Sequence, residues 1–364
     1  MRSHPTSADG RPRPRVIGGD QHIEGWHDEK REQRADGHSS GELAPYIMMI
    51  DELSTEVVGL YRNWEEGDES MQKLEFFVVM DLFMTPSADL ADLVLPAASW
   101  FEVDAMPAFP YFAENAVLVQ QKVVQVGECK QDEVVFAEIA RRMKLPVGTE
   151  DPTDIYTQQL AANTGLTFDD LRERGSVWRP MTYRKYEKNG FKTETGKIEL
   201  FSLALEKLGY SPLPTYAEPP ESPVSTPIVA KEFPYVLTTG ARILSFFTSE
   251  HRQLPKLRRI SREPQMEIHP ETARQHNIAN GDWVWIETRR GKIRQRAHLT
   301  DGIDPRVINI EFGWWFPERK DGDRGVWESN ANVLTSIEPP YDPAMGTYQL
   351  RALLCRIEKV ETAS

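Results

Sequence analysis

The sequence predicts an α/β plus β fold: a partial parallel-sheet α/β domain followed by a compact β-barrel. Three observations predict it. Phe76-Phe77-Val78-Val79-Met80 is a continuous apolar run closed by Asp81, without polar alternation, as in a strand buried on both faces of a parallel sheet. Residues 211–230 carry six prolines and few large apolar side chains, which marks a boundary. Beyond that boundary, short β-branched and aromatic runs alternate with turn residues, the pattern of a small barrel.

Residues 1–42 are polar and follow neither a strand nor a helix period, and a disordered or weakly ordered arm is expected there. Its histidines, His4, His22, His27 and His38, fall at no recurrent metal-ligand spacing. The α/β domain is expected over 43–210, with a short apolar strand at Ala44–Ile50 and acidic, helix-compatible sequence over 51–75. After the 76–80 strand, Thr85-Pro86-Ser87 reads as a helix cap with proline in the first turn, and Val94-Leu95-Pro96 as a second strand. An amphipathic helix is expected over Asp132–Lys144, with Arg141, Arg142 and Lys144 suited to its carboxyl end. Further helices are expected at Ile155–Ala162 and Leu200–Leu208. Residues 211–230 are read as an extended linker, and 231–364 as the barrel. Its expected strands are Tyr235–Leu237, Trp283–Glu287, Ile293–Leu299 and Val307–Ile310, with one helix at His269–Gln275.

At 364 residues the chain has room for about two domains of ~150 residues. A net charge of −13 disfavours nucleic acid as the main partner. No apolar stretch approaches the ~20 residues of a membrane helix, and the opening residues lack the apolar core of a secretory signal, so a cytoplasmic protein is expected. Two cysteines, Cys129 and Cys355, are too few for a disulfide framework, a zinc cage or an iron–sulfur cluster drawn from these residues alone.

Charge is unevenly spread. Residues 231–300 hold 13 basic and 7 acidic side chains, a local +6 against the chain's −13. Such a basic barrel fits an anionic ligand or an acidic partner surface, and equally a solvated charged face. Asp81 stands at the carboxyl end of its strand, where ligands of open α/β sheets bind. Thr238-Thr239-Gly240, read as a turn, can offer amides and hydroxyls to a phosphate, with Arg242 two residues on. Gly313-Trp314-Trp315-Phe316-Pro317 reads first as a packed aromatic loop. Asn330 and Asn332 carry carboxamides suited to a heterocycle edge or to ordinary turn bonds. Asp89 and Asp92 read as capping and surface carboxylates. No nucleophile elbow or glycine-rich phosphate loop is present.

In order and spacing, FFVVMDLFMTPSADLADLVLPAASWFE (76–102), GECKQDEVVFAEIARRM (127–143), TGKIELFS (195–202) and PYVLTTGAR (234–242) resemble the carboxyl-terminal half of the molybdopterin oxidoreductases, the DMSO reductase family. EIHPETARQHNIANGDWVWIETRRGKI (267–293), GWWFPE (313–318) and SNANVLT (329–335) continue the resemblance to about residue 360. GECK and GWWFPE are closest to the branch of acetylene hydratase and the transhydroxylases. The resemblance implies that the barrel is of the double-psi type. It implies two molybdopterin guanine dinucleotides (bis-MGD) around one molybdenum or tungsten atom. Asp81 would accept from a guanine, with Thr85 beside it. Thr238, Thr239, Gly240, Arg242, Ser249, His251 and Arg252 would meet pterin or pyrophosphate, and Trp315, Asn330 and Asn332 would complete the cofactor shell.

Two family features are missing from the sequence: a cysteine-rich iron–sulfur segment and a residue to ligate the metal. The resemblance therefore implies a cysteine-rich amino-terminal half or separate subunit, with any iron–sulfur cluster there or on an electron-transfer partner. The rival expectations are a truncated, non-catalytic fragment and a barrel that binds a nucleotide or partner without chemistry. Replacing Arg242 with Ala is expected to weaken dinucleotide binding by about 1.5–3 kcal/mol, the range for a charge-assisted bond. A folded variant with unchanged affinity would remove Arg242 from the site.

Overall fold

The structure, a computed structural model, is described over residues 15–16 and 74–361, outside 107–115, 147–148, 150, 179, 181–182, 242, 247–248, 250, 321–322, 337–338, 341 and 343–345. The expectations for Ala44–Ile50, for 51–73, for most of the 1–42 arm and for Arg242 fall outside the described residues. Strand β1, Arg15–Val16, lies parallel beside β3.

The apolar run forms strand β2, Val78–Asp81, which pairs in parallel with β3, Leu93–Pro96, in the order β1-β3-β2. Val79 is fully buried and packs with Phe77, Ala88, Ala91 and Val94. The chain leaves β2 at Asp81 and enters a helix, Pro86–Leu90, whose N-cap is Thr85: its hydroxyl accepts from the Ala88 amide at 3.3 Å, with Pro86 at the first position. Asp92 is not merely a surface carboxylate. Its Oδ2 accepts from the Phe77 amide at 2.8 Å and fastens the entry to β2.

The middle of the chain forms a smaller layer. Strands β4, Ala116–Leu118, and β5, Ser176–Trp178, pair antiparallel, with Leu160, Phe168 and Leu171 buried beside them. The helix expected at Ile155–Ala162 is longer, Pro152–Thr164, because Asp151 caps it and Gly165 ends it in the left-handed conformation. The one expected at Leu200–Leu208 is shorter, Leu203–Lys207, because Ser202 caps it. The Asp132–Arg142 helix forms as its periodicity predicts, yet buries none of its residues.

The proline-rich segment is not wholly an extended linker. A helix, Pro227–Glu232, begins inside it, since proline at N1 is already set to helical φ. Glu221, upstream, is buried and accepts from the Leu354 amide at 2.8 Å while pairing with Arg290. The segment is thus strapped to the barrel.

The barrel is closed, with six strands in the order β10-β6-β11-β8-β9-β7. They are β6 Tyr235–Ala241, β7 Gln265–Ile268, β8 Trp283–Glu287, β9 Lys292–Leu299, β10 Val307–Glu311 and β11 Leu353–Lys359. Pairing is mixed: β10–β6 and β7–β9 run parallel, the rest antiparallel. Inward positions alternate along β8, β9 and β10, so Val284, Ile286, Ile293, Ile308 and Ile310 join Leu353 of β11 in one apolar core. Thr238, Thr239 and Gly240 correct the sequence reading. They lie within β6 rather than in a turn, because pairing of β6 with β10 at Thr238 and Ala241 overrides the turn propensity of Thr-Gly.

Ile286 is fully buried among these side chains. Ile286→Ala is expected to destabilise the barrel by about 2–5 kcal/mol through lost burial and the cavity left behind. Urea unfolding of the variant measures it, and a loss under ~1 kcal/mol would show that the core collapses around the gap.

Candidate functional site

The candidate site gathers where the barrel meets the parallel sheet. Residues 313–330 leave β10, cross to the α/β unit and return. Trp315 is 1% exposed and shares an apolar cluster with Val326, Trp327 and Leu90 of the Pro86–Leu90 helix. Arg324 makes a two-pronged ion pair with Asp89 of the same helix. Asp89, read from sequence as a simple surface carboxylate, is therefore a docking residue. Gly325 allows the crossing: its φ is +70°, and a Cβ there would stand 2.2 Å from Arg319 and 2.7 Å from Phe316.

Asp81 and Thr85 flank this interface from the sheet side. The Asp81 carboxylate accepts from the Phe83 amide at 3.1 Å through Oδ1 and from the Thr85 hydroxyl at 3.2 Å through Oδ2. Both side chains are buried. The carboxylate is thus fixed in direction at the end of β2.

On the barrel side, Asn330 is buried and caps the short helix Ala331–Leu334, its Oδ1 accepting from the Asn332 amide at 3.0 Å. The β8–β9 turn leans on that helix: the Thr288 hydroxyl donates to the Leu334 carbonyl at 2.9 Å. Thr238 donates to the Asn309 side chain and Thr239 to the Leu350 carbonyl, so both hydroxyl protons are engaged within the barrel. Gly240 faces Arg351, and a Cβ there would meet its guanidinium at 2.8–3.0 Å. Arg351 was missed in the sequence, because no local motif surrounds it.

Ser249 is 1% exposed and His251 holds a positive φ of 61° while its carbonyl accepts from the Leu254 amide. Arg252 is fully enclosed. Its guanidinium lies 4.7 Å from the Phe246 ring and 4.2 Å from the Trp314 ring, and Nη2 donates to the Gly313 carbonyl at 2.8 Å. Burial lowers its pKa to about 9, which leaves it charged at neutral pH. Burial also pushes the Glu311 carboxyl up, against hydrogen bonds from the Gln265 amide and the Trp314 indole and the charge of Arg252. Arg258 covers Trp314 as well, at 5.2 Å, and pairs with Glu318.

Two buried polar atoms in these segments, Trp315 Nε1 and Gln253 Oε1, have no hydrogen-bond partner among the described residues. Gln253 was not singled out by the sequence. Among the described residues, no group of three or more His, Cys, Asp or Glu side chains is arranged to hold a metal, and no helix is long and apolar enough to cross a membrane. Cys129 is partly buried beside Glu102, and Cys355 is enclosed in the barrel; burial raises both thiols.

Comparison with known proteins agrees with this architecture. Residues 235–354 match the family model described as molydopterin dinucleotide binding domain, and residues 54–142 that described as molybdopterin oxidoreductase. Dopamine dehydroxylase of Eggerthella lenta is 33% identical over 82% of this chain and 37% of its own length. Acetylene hydratase of Syntrophotalea acetylenica is 32% identical over 80% of this chain and 41% of its own. The solved structure of acetylene hydratase from Pelobacter acetylenicus superposes with a TM-score of 0.76 at 29% identity, covering 87% of this chain and 45% of that one. The chain thus spans less than half the length of these relatives.

Glu328 anchors the returning end of the crossing segment, receiving Arg294 on one oxygen and Arg319 on the other. Burial pushes its carboxyl up, but the bonds from Arg294 and Arg319 outweigh this and hold it below its ordinary 4.5. A folded-state value below the unfolded one contributes stability above about pH 4.5 that is lost as pH falls through the lowered value. The stability gap between wild type and Glu328→Gln is therefore expected to be full at pH 7 and to shrink from pH 4.5 downward. A gap independent of pH would show that the ion pairs contribute nothing.

Proposed function

The chain belongs to the molybdopterin oxidoreductase family, and from that premise we propose that it is the dinucleotide-binding part of a molybdenum or tungsten oxidoreductase, working with a further cysteine-rich polypeptide. The observation that supports this most is the crossing segment. By docking Trp315 and Arg324 on the helix capped by Thr85, it unites the sheet-side candidates with the barrel-side ones.

The residues fit such a cofactor. A pterin dinucleotide presents ring N–H donors, carbonyl acceptors and a pyrophosphate. Asp81 offers an oriented carboxylate to a guanine edge, with Thr85 behind it. The Trp315 indole N–H is buried without an acceptor, which a polar ligand would supply. Asn330 caps the short helix that carries Asn332, which leaves the Asn330 amide N–H donors and the Asn332 carboxamide for a pterin edge. Thr238, Thr239 and Gly240 would contribute backbone rather than hydroxyl protons, since those are engaged. Ser249 and His251 would contact pterin or pyrophosphate, and Arg242 is assigned to the same group by the resemblance alone. On this reading the mixed six-stranded barrel is of the double-psi type, and the full site takes bis-MGD.

When bound, the cofactor supplies two-electron redox or oxygen-transfer chemistry. The protein's own part is to bind, orient and exclude water. Enclosing Asp81, Trp315 and Asn330 makes each hydrogen bond to the ligand stronger than it would be in water. No described residue is assigned as metal ligand, and an iron–sulfur cluster would belong to the other polypeptide or an electron-transfer partner. The protein is placed in the cytoplasm on this reading, within the acetylene hydratase branch.

Elemental and pterin analysis of the protein from its native host tests the proposal. Near-stoichiometric molybdenum or tungsten with guanine dinucleotide, beside a cysteine-rich polypeptide, is the expected result. A folded protein free of metal and pterin would sink the reading and favour a non-catalytic fragment or a nucleotide-binding module.

A further inference from the structure

Resting on that reading, we infer that Trp100, Phe101, Val123 and Val124 form the docking platform for the further cysteine-rich polypeptide. The face that polypeptide brings has an apolar centre and a basic rim. Trp100 and Phe101 open the short 3-10 helix Trp100–Glu102, and both are exposed, as are Val123 and Val124. Single exposed apolar side chains are ordinary, but adjoining aromatic and aliphatic ones mark interaction surfaces.

Hydrogen bonds hold these two stretches together. The Val123 and Val124 amides donate to the Phe101 carbonyl at 2.9 and 3.1 Å, and the Gln120 side chain donates to the Trp100 carbonyl at 2.7 Å. Glu102 is buried and pins both stretches. One carboxylate oxygen accepts from the Ser99 amide at 3.0 Å and the Ser99 hydroxyl at 2.8 Å, and the other accepts from the Val126 amide at 2.8 Å. The Trp100 and Phe101 carbonyls are thus engaged within the platform, and the side chains it leaves to solvent are apolar. A surface fixed in this way loses little conformational freedom when it is covered. Tryptophan is also among the residues whose truncation costs most at protein interfaces.

Charge selects the occupant. Residues 75–133, which hold the platform, carry ten acidic and two basic side chains. Arg324 and Arg172 pair with two of those acids, Asp89 and Asp104, and a strong acidic excess still stands. A second copy of this chain would set the same acidic stretch against itself, on molecules of net charge −13. A partner with lysine and arginine around an apolar patch meets no such repulsion and is steered toward the platform. The relatives add a second argument. Each carries more polypeptide outside the stretch it shares with this chain than within it.

The test uses the protein isolated from its native host with the polypeptides that hold to it. A photo-cross-linking amino acid in place of Val123 or Val124 reports which chain touches the platform. A cross-link to the cysteine-rich polypeptide is expected, in a segment where apolar residues are flanked by lysine or arginine. Trp100→Ser and Phe101→Ser are each expected to raise the dissociation constant for that polypeptide by about thirtyfold or more, as for truncation of an interface anchor. Both side chains are exposed, so the circular dichroism of the purified variants should match wild type. Ile260→Ser, at the exposed end of a barrel helix, is the control and should leave the constant unchanged. Wild-type affinity in both Trp100→Ser and Phe101→Ser would overturn the inference, and so would equal loosening by Ile260→Ser. Cross-links confined to a second copy of this chain, or to an acidic segment, would overturn it too. In each of these cases a cysteine-rich polypeptide that still co-purifies leaves the proposed function intact. Wild-type preparations with no further polypeptide would overturn that reading, and the inference with it.

Discussion

The position of everything between the barrel and the sheet depends on taking the Arg252 guanidinium out of water. Removing a charge from solvent costs several kcal/mol before compensation. Compensation here is local and comes from separate stretches of chain: the Phe246 ring, the Trp314 ring, the Gly313 carbonyl, and the negative charge of Glu311 at the end of β10. Each must be in place together, or the charge is left uncompensated. That condition fixes where the chain departs from β10 and in which direction Trp314 and Trp315 point. Glu311 is drawn into the same arrangement, since the Trp314 indole donates to it at 2.8 Å.

The consequence reaches the other unit. The helix carrying Thr85 and Asp89 has five residues, far too short to hold itself in water. Its stability comes from Val79, Ala91 and Val94 beneath it and from the barrel segment above it, through Leu90 against Trp315 and Asp89 against Arg324. Because Thr85 both caps that helix and donates to Asp81, the direction of the Asp81 carboxylate is tied to the docking of the barrel. The two halves of the candidate site are therefore one cooperative structure, and a change at Arg252 should be felt at Asp81.

How much of this the sequence carried depends on the range of the interaction. Runs whose partners follow from their own composition were legible: Val78–Asp81, the Thr85 cap with Pro86 behind it, and β8 with its return strand β9. Strands whose patterns are short or irregular were not. Gln265–Ile268 offers only four residues, and Leu353–Lys359 begins with three consecutive buried side chains that mimic no simple period. Thr238–Gly240 carries turn-forming residues and is strand because β10 pairs alongside it, at Thr238 and Ala241. Arg324 with Asp89 and Arg252 with Gly313 are separated by 235 and 61 positions, and no local pattern announces them. The family resemblance supplied the cofactor shell that composition left open, but it gave no hint of Gln253, since an orphaned atom is visible only once its surroundings are.

Two kinds of incompleteness remain, and they differ in scale. The orphaned atoms at Gln253 and Trp315 are single buried hydrogen-bonding groups, a deficit of the size that a polar ligand group fills. The other deficit is apolar and broad. Trp100 and Phe101 are 65% and 66% exposed, the backbone of Val123 and Val124 is bonded to Phe101, and the Asp132–Arg142 helix turns Phe136 and Ile139 to solvent. Its sequence is amphipathic, yet none of its residues is fully buried. Apolar side chains of that size and number are what the proposed further polypeptide would cover. That the relatives are more than twice as long as the stretch they share with this chain agrees with such a polypeptide. The proposed cofactor and the proposed polypeptide thus answer different deficits, and satisfying one would leave the other in place.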